Sequence, residues 1–164
     1  MAAKPGLKAV DMFEAVRDGR IKAIWIMATN PVVSMPDANA VRDALKQCPF
    51  VVVSDAIHDT DTTRLAHVLL PAAAWGEKDG TVTNSERRIS RQRAFLPVAG
   101  ESRADWKIIS DVATRMGFAG FEYESAAEVF REHAALSTFE NNGTRAMDIG
   151  ALADMRNEEY EALQ

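Results

Sequence analysis

The sequence predicts an α/β fold, a doubly wound, mostly parallel sheet with helices on both faces. Three observations carry this reading. Two short runs, Ile21 to Ala28 and Phe50 to Val53, are almost wholly apolar and rich in β-branched residues, as in strands buried in a parallel sheet. Helical patterns precede, separate and follow them. Each run ends in polar residues, Thr29-Asn30-Pro31 and Ser54-Asp55, where such sheets bind ligands.

The first helix is expected over about residues 7 to 18, where Leu7, Val10, Phe13, Ala15 and Val16 recur at helical spacing between Pro5 and Gly19. The strand Ile21 to Ala28 follows. Asp37 to Gln47 is a second helix, with Asp37 as its N-cap. The second strand comes next, then a helical pattern over Asp59 to Ala66 capped by Asp59 or Thr60. Val68-Leu69-Leu70, ahead of Pro71, is the third strand. Residues 75 to 95 interrupt the alternation with glycines and four arginines (Arg87, Arg88, Arg91 and Arg93), and an extended, loop-rich excursion is expected there. Helices return over Asp105 to Met116 and Ala126 to Ala135. From Leu136 the periodicity fades, and we read residues 136 to 164 as a linker or tail toward something absent, with residues 1 to 135 as one domain. The abrupt beginning and end lead us to expect a piece of a longer polypeptide.

Composition narrows the function. The 164 residues are 47% apolar, enough for a core of their own. A net charge of −5 without a basic stripe disfavours nucleic acid as a partner. The apolar runs are shorter than the roughly 20 residues of a membrane span and no signal peptide is recognisable, so we expect no membrane contact and a cytoplasmic location. Cys48 is the only cysteine, which excludes an internal disulfide and suits a reducing compartment.

Two strand-end clusters are candidate binding sites. The side-chain amide of Asn30 suits a base or ribose, though Asn before Pro also makes an ordinary turn. Asp55, beside Ser54, suits ribose hydroxyls or a guanine edge, and equally a solvated strand end. The arginine run can receive phosphates through bidentate forks or form a salt-bridge network. There is no G-x-G-x-x-G fingerprint, so a free NAD site is disfavoured. His58, His67 and His133 lack metal-ligand spacing and Cys48 lacks an adjacent base, so neither a catalytic nor a metal site is expected.

Four segments, in order and spacing, resemble the molybdopterin oxidoreductase family. They are Ala28-Thr29-Asn30-Pro31-Val32-Val33-Ser34-Met35-Pro36; Val53-Ser54-Asp55; Ala66-His67-Val68-Leu69-Leu70-Pro71; and, above all, the stretch Trp75-Gly76-Glu77-Lys78-Asp79-Gly80-Thr81-Val82-Thr83-Asn84-Ser85-Glu86-Arg87-Arg88. With Ala104-Asp105-Trp106, the resemblance covers about residues 7 to 135. The wording after Arg88, Ile89 to Phe95, is most similar to the assimilatory, nitrate-reducing branch.

The resemblance implies a Rossmann-like domain that holds one of two molybdopterin guanine dinucleotides through Asn30, Ser54, Asp55, Lys78 and Asp105. Asp105 can also cap its helix. It implies a parent enzyme with molybdenum and an iron-sulfur cluster, further domains, and an electron-donor protein or domain. His67 stands where many members carry an acidic residue. The family's cluster cysteines and molybdenum ligand have no counterpart here, so the fragment alone is expected to be inactive. A formate dehydrogenase alpha-type parent and a stand-alone nucleotide-binding or scaffold module are the alternatives; Thr83-Asn84-Ser85-Glu86-Arg87-Arg88-Ile89-Ser90-Arg91 favours nitrate.

Overall fold

A computed structural model describes residues 4–164, which divide into two compact units, one ending at Ala72 and the other spanning Ala73–Gln164. Each has its own apolar core, where composition alone suggests one.

In the first unit, helix α1 (Ala9–Arg17) buries Phe13, Ala15 and Val16, and Gly19 follows at φ 79°, a left-handed conformation that glycine adopts without strain. Strand β1 (Ala23–Met27) leads to a single helical turn, α2 (Pro31–Ser34), and to α3 (Ala38–Gln47). Asp37 is the N-cap of α3 as expected, its Oδ1 accepting from the Ala40 amide at 2.9 Å. Strands β2 (Phe50–Asp55) and β3 (Val68–Pro71) complete a parallel sheet in the order β1-β2-β3, with Ile26 opposite Val53 and Val53 opposite Leu69.

The fold class is the mixed α/β arrangement predicted, but the strands are not enclosed on both faces. Side chains alternate across a strand. Ile24, Ile26, Val51 and Val53 gather in one core with Phe13 and Val16 of α1 and with Val41, Ala44 and Leu45 of α3. Each fully buried aliphatic side chain contributes roughly 1.5–3 kcal/mol. On the alternate face Trp25 and Val52 are half-buried, and Met27, Phe50 and Val68 are exposed.

The helix expected over Asp59 to Ala66 shrinks to a 3-10 turn at Thr63–Leu65. Threonine side chains divert the backbone: Thr63 Oγ1 accepts from the Thr60 amide at 2.7 Å and donates to the His58 carbonyl at 2.9 Å, while Thr60 Oγ1 accepts from the Thr63 amide at 3.0 Å. Such local bonds compete with helix formation.

In the second unit, the loop-rich excursion contains a 3-10 turn (Trp75–Glu77) and an antiparallel hairpin of β4 (Gly80–Thr83) and β5 (Ile89–Gln92). Asn84 closes the hairpin: its amide donates to the Arg88 carbonyl at 3.1 Å, and its Oδ1 accepts from the Arg88 amide at 3.0 Å. Helices α4 (Asp105–Arg115) and α5 (Ala126–Thr138) lie where expected, and Ser125 caps α5 by accepting from the Glu128 amide at 3.3 Å. The chain past Leu136 departs from the aperiodic reading. After α5 come a 3-10 turn at Gly150–Leu152 and helix α6 (Asn157–Glu161), whose Tyr160 is 1% exposed and packs with Ala127 and Phe130.

Candidate functional site

The carboxyl ends of β1 and β2 lie side by side, because Met27 is in register with Ser54 and the Ala28 amide donates to the Ser54 carbonyl at 2.9 Å. Ala28 then takes φ 51°, an uncommon conformation for a residue with a Cβ, and turns the chain toward Asn30. Asn30 occupies the N-cap position of α2, yet its side chain makes no cap bond. Its Oδ1 instead accepts from the Thr62 hydroxyl at 2.7 Å, and its Nδ2 has no partner among the described residues.

Ser54 and Asp55 play different parts. Ser54 is 2% exposed, and its Oγ accepts from the Trp25 indole at 2.7 Å, so its hydroxyl is enclosed beneath the strand end. Asp55 is half-buried; its Oδ1 accepts from the Ile57 amide at 2.9 Å, which fixes the carboxylate in a tight turn and leaves Oδ2 without a partner among the described residues. The first unit therefore carries one unengaged amide donor in the loop after β1 and one unengaged carboxylate oxygen at the end of the neighbouring strand β2. This arrangement can receive a group offering both an acceptor and a donor, such as a nucleoside.

In the second unit, Lys78 Nζ and Asp105 Oδ2 form a half-buried ion pair at 2.5 Å. Asp105 is the first residue of α4, with Ala104 as N-cap, so its carboxylate serves the lysine and not the cap. The pair borders an opening of about 460 Å³ whose other walls include Thr81, Gln92, Trp106 and His133. A paired lysine still offers N–H donors, but its charge is largely balanced.

Much of the long motif from Trp75 to Arg88 is architectural. Glu77 accepts from the Ala74 amide at 2.7 Å and the Ala99 amide at 3.2 Å, and the Gly76 carbonyl accepts from the Phe95 and Leu96 amides, both at 2.9 Å. A Cβ on Gly76 would come within 2.9 Å of the tip of the exposed Phe95 ring, so the ring packs over the glycine and would have to shift aside for a larger residue. The arginine run divides. Arg91, with a side chain 1% exposed, pairs with Asp79 and with Glu161 at 3.0 Å and lies 4.3 Å from the centre of the Tyr160 ring. Burial works against its charge, but the hydrogen bond to Asp79 and the other surrounding contacts outweigh it and hold its pKa above the ordinary arginine value. Arg93 donates to the Leu163 carbonyl at 2.8 Å, while Arg87 and Arg88 are exposed.

Among the described residues no three His, Cys, Asp or Glu side chains gather as a metal site. His67 Nδ1 accepts from the Val51 amide at 3.0 Å, a structural role, and Cys48 is enclosed at 2% exposure. Among the described residues no helix is long and apolar enough to cross a membrane. The residue that sequence reasoning misses is Thr62, 0% exposed and bonded to Asn30; the dense threonines of Thr60 to Thr63 are the signal that a side-chain network replaces a helix there.

The sequence profile described as molybdopterin oxidoreductase matches residues 1–115. A nitrate reductase of Klebsiella oxytoca is 58% identical over 100% of this chain, and the chain spans 19% of that protein's length. The F420-dependent formate dehydrogenase 1 subunit alpha of Methanococcus maripaludis is 41% identical over 80% of this chain, again spanning 19% of the relative. Among solved structures, acetylene hydratase from Pelobacter acetylenicus superimposes with a TM-score of 0.65 over 73% of this chain and 17% of its own; at 23% identity this likeness speaks for the fold alone.

Proposed function

Since the chain belongs to the molybdopterin oxidoreductase family, we propose that it is the portion of an assimilatory, molybdenum-dependent nitrate reductase that grips the guanosine end of one molybdopterin guanine dinucleotide. The observation that carries this is the pair of unengaged groups, Asn30 Nδ2 in the loop after β1 and Asp55 Oδ2 at the end of the neighbouring parallel strand β2. An amide donor matches a purine carbonyl or phosphate oxygen, and a carboxylate matches ribose hydroxyls or the guanine amine and ring N–H.

Both groups are held before any ligand arrives, Asp55 by the Ile57 amide and Asn30 by Thr62, so little ordering accompanies binding. Ser54 is already engaged by the Trp25 indole, so its part is to hold the strand end and its backbone in place. We assign cofactor contact also to Lys78 of the second unit, with Asp105 aiming its ammonium. When bound, the molybdenum-pterin cofactor supplies the two-electron chemistry of nitrate reduction, and this chain supplies binding and orientation. The iron-sulfur cluster and the contact with an electron donor belong to the rest of the parent polypeptide in this reading, and the fragment by itself is inactive. The enclosed, unpaired Cys48 fits a reducing compartment, and we place the enzyme in the cytoplasm.

Calorimetric titration with GDP tests the reading. Saturable binding by the wild-type chain, weakened about tenfold or more in Asp55→Ala with an unchanged melting curve, is expected for a charge-assisted contact. Equal binding by both proteins, or none by wild type, would overturn a nucleotide site preformed in this chain. The formate dehydrogenase relative, 41% identical, supports a second reading with the same cofactor role and a formate-oxidising parent. The higher identity, 58%, to a nitrate reductase favours nitrate. Assaying the full parent polypeptide with nitrate and with formate separates the two.

A further inference from the structure

We propose that Thr62 is a positioning residue that fixes the orientation of the Asn30 side chain, so that Asn30 presents only hydrogen-bond donors to its ligand. The inference rests on the nucleotide-binding reading of Asn30 and specifies its chemistry.

Thr62 is 0% exposed and stands between β2 and β3, just ahead of the 3-10 turn at Thr63–Leu65. Its Oγ1 accepts from the Val32 amide at 3.2 Å and lies 2.7 Å from Asn30 Oδ1. Val32 is the second residue of α2, whose amide an N-cap side chain would ordinarily bind. Asn30 holds the N-cap position without capping, and Thr62 supplies that bond from 30 residues away along the chain. The asparagine side chain is thereby released from the role its position would give it.

The orientation follows from counting hydrogens. The Val32 amide uses a lone pair of Thr62 Oγ1, so the hydroxyl's own hydrogen needs an acceptor, and Asn30 Oδ1 is its acceptor among the described residues. With the amide reversed, Oγ1 would accept twice and its hydrogen would be buried without a partner, which is costly. The oxygen of Asn30 therefore points inward and the NH2 outward. An outward NH2 recognises acceptor oxygens, those of a purine carbonyl or of a phosphate, and leaves an exocyclic amine unpaired.

Two readouts on the 15N-labelled chain test this. In the first, without ligand, Thr62→Val should shift the Asn30 side-chain NH2 resonances toward those of a freely rotating asparagine, and Thr62→Ser should preserve them. Unchanged Asn30 signals in a folded Thr62→Val protein would overturn the inference. If Thr62→Val fails to fold, the wild-type Thr62 hydroxyl proton decides: it should exchange slowly and show a cross-peak to Asn30, and rapid exchange would overturn the inference. In the second, GDP should move the Asn30 NH2 signals of wild type, bind about tenfold more weakly to Thr62→Val and nearly normally to Thr62→Ser, as expected for loss of one buried hydrogen bond. Inorganic pyrophosphate moving the same signals as strongly as GDP would assign the acceptor to phosphate, and GDP acting alone would assign it to the base; either supports an outward donor. If GDP moves nothing in wild type, the nucleotide reading fails and the ligand half of the inference falls with it, while the first readout still decides the orientation.

Discussion

Tyr160 packs its ring at 5.5 Å from that of Phe130 and beneath the Arg91 guanidinium, yet its hydroxyl is buried without a partner among the described residues. Burial pushes its pKa up, with nearby Arg91 opposing and Asp79 and Glu161 reinforcing the shift. A phenol with a raised folded pKa leaves stability intact below its unfolded value, about 10, and removes stability as pH climbs through the higher folded value. Tyr160→Phe keeps the ring contacts and deletes the stranded oxygen. Urea titrations should show stability at neutral pH unchanged or raised by up to about 1 kcal/mol, and a shallower loss above about pH 10. A clear loss at neutral pH would mean that the hydroxyl has a partner after all. At this scale the site is partly legible in the sequence. Asn30 and Asp55 stand out because polar residues directly after buried strands mark the ligand end of a parallel sheet. Thr62 does not stand out, because its partners, Asn30 and Val32, lie 32 and 30 residues away and no local pattern links them.

Helix α6 spans five residues, too few to hold a helix by backbone bonds alone. Its stability comes from side chains: Tyr160 in the core, Glu161 held through both carboxylate oxygens by Nη2 of Arg91, whose two terminal nitrogens also fork Asp79, and the carbonyl groups of Glu161 and Leu163 bound by Arg93. Arg91→Met retains much of the aliphatic stem but loses the fork and the cation over the ring. We expect α6 amides to exchange with solvent markedly faster and stability to fall by about 2 kcal/mol. Hydrogen exchange that leaves α6 as protected as in wild type would refute this clamp. The same dependence explains why a reading of the sequence finds a tail where the structure has a helix: Arg91 and Glu161 are 70 residues apart, beyond any periodicity window. The β4–β5 hairpin is hidden for another reason. Its turn runs through Arg87 at φ 65°, without the Asn-Gly or Asp-Gly pair that announces most tight hairpins. Elements that bury one face along their own length, such as α3, α4 and β2, are legible because the period alone specifies them.

The two units have separate cores, so each is expected to unfold as its own cooperative block. Native-state hydrogen exchange in increasing denaturant should sort β1–β3 amides and α5–α6 amides onto two distinct isotherms; one shared isotherm would show that they unfold together. Trp75, Phe95, Leu96 and Val98 lie exposed in the second unit, at 63%, 74%, 54% and 47%, apolar surface of the kind that a neighbouring protein surface commonly covers. The tryptophans are also divided, Trp25 in the first unit and Trp75 and Trp106 in the second. Trp25 donates to Ser54, the residue next to Asp55, so its indole senses the polarity at that strand end. A chain carrying Phe at positions 75 and 106 would then be its own fluorimeter, its single emission band reporting occupancy of the Asn30 and Asp55 end without any added dye.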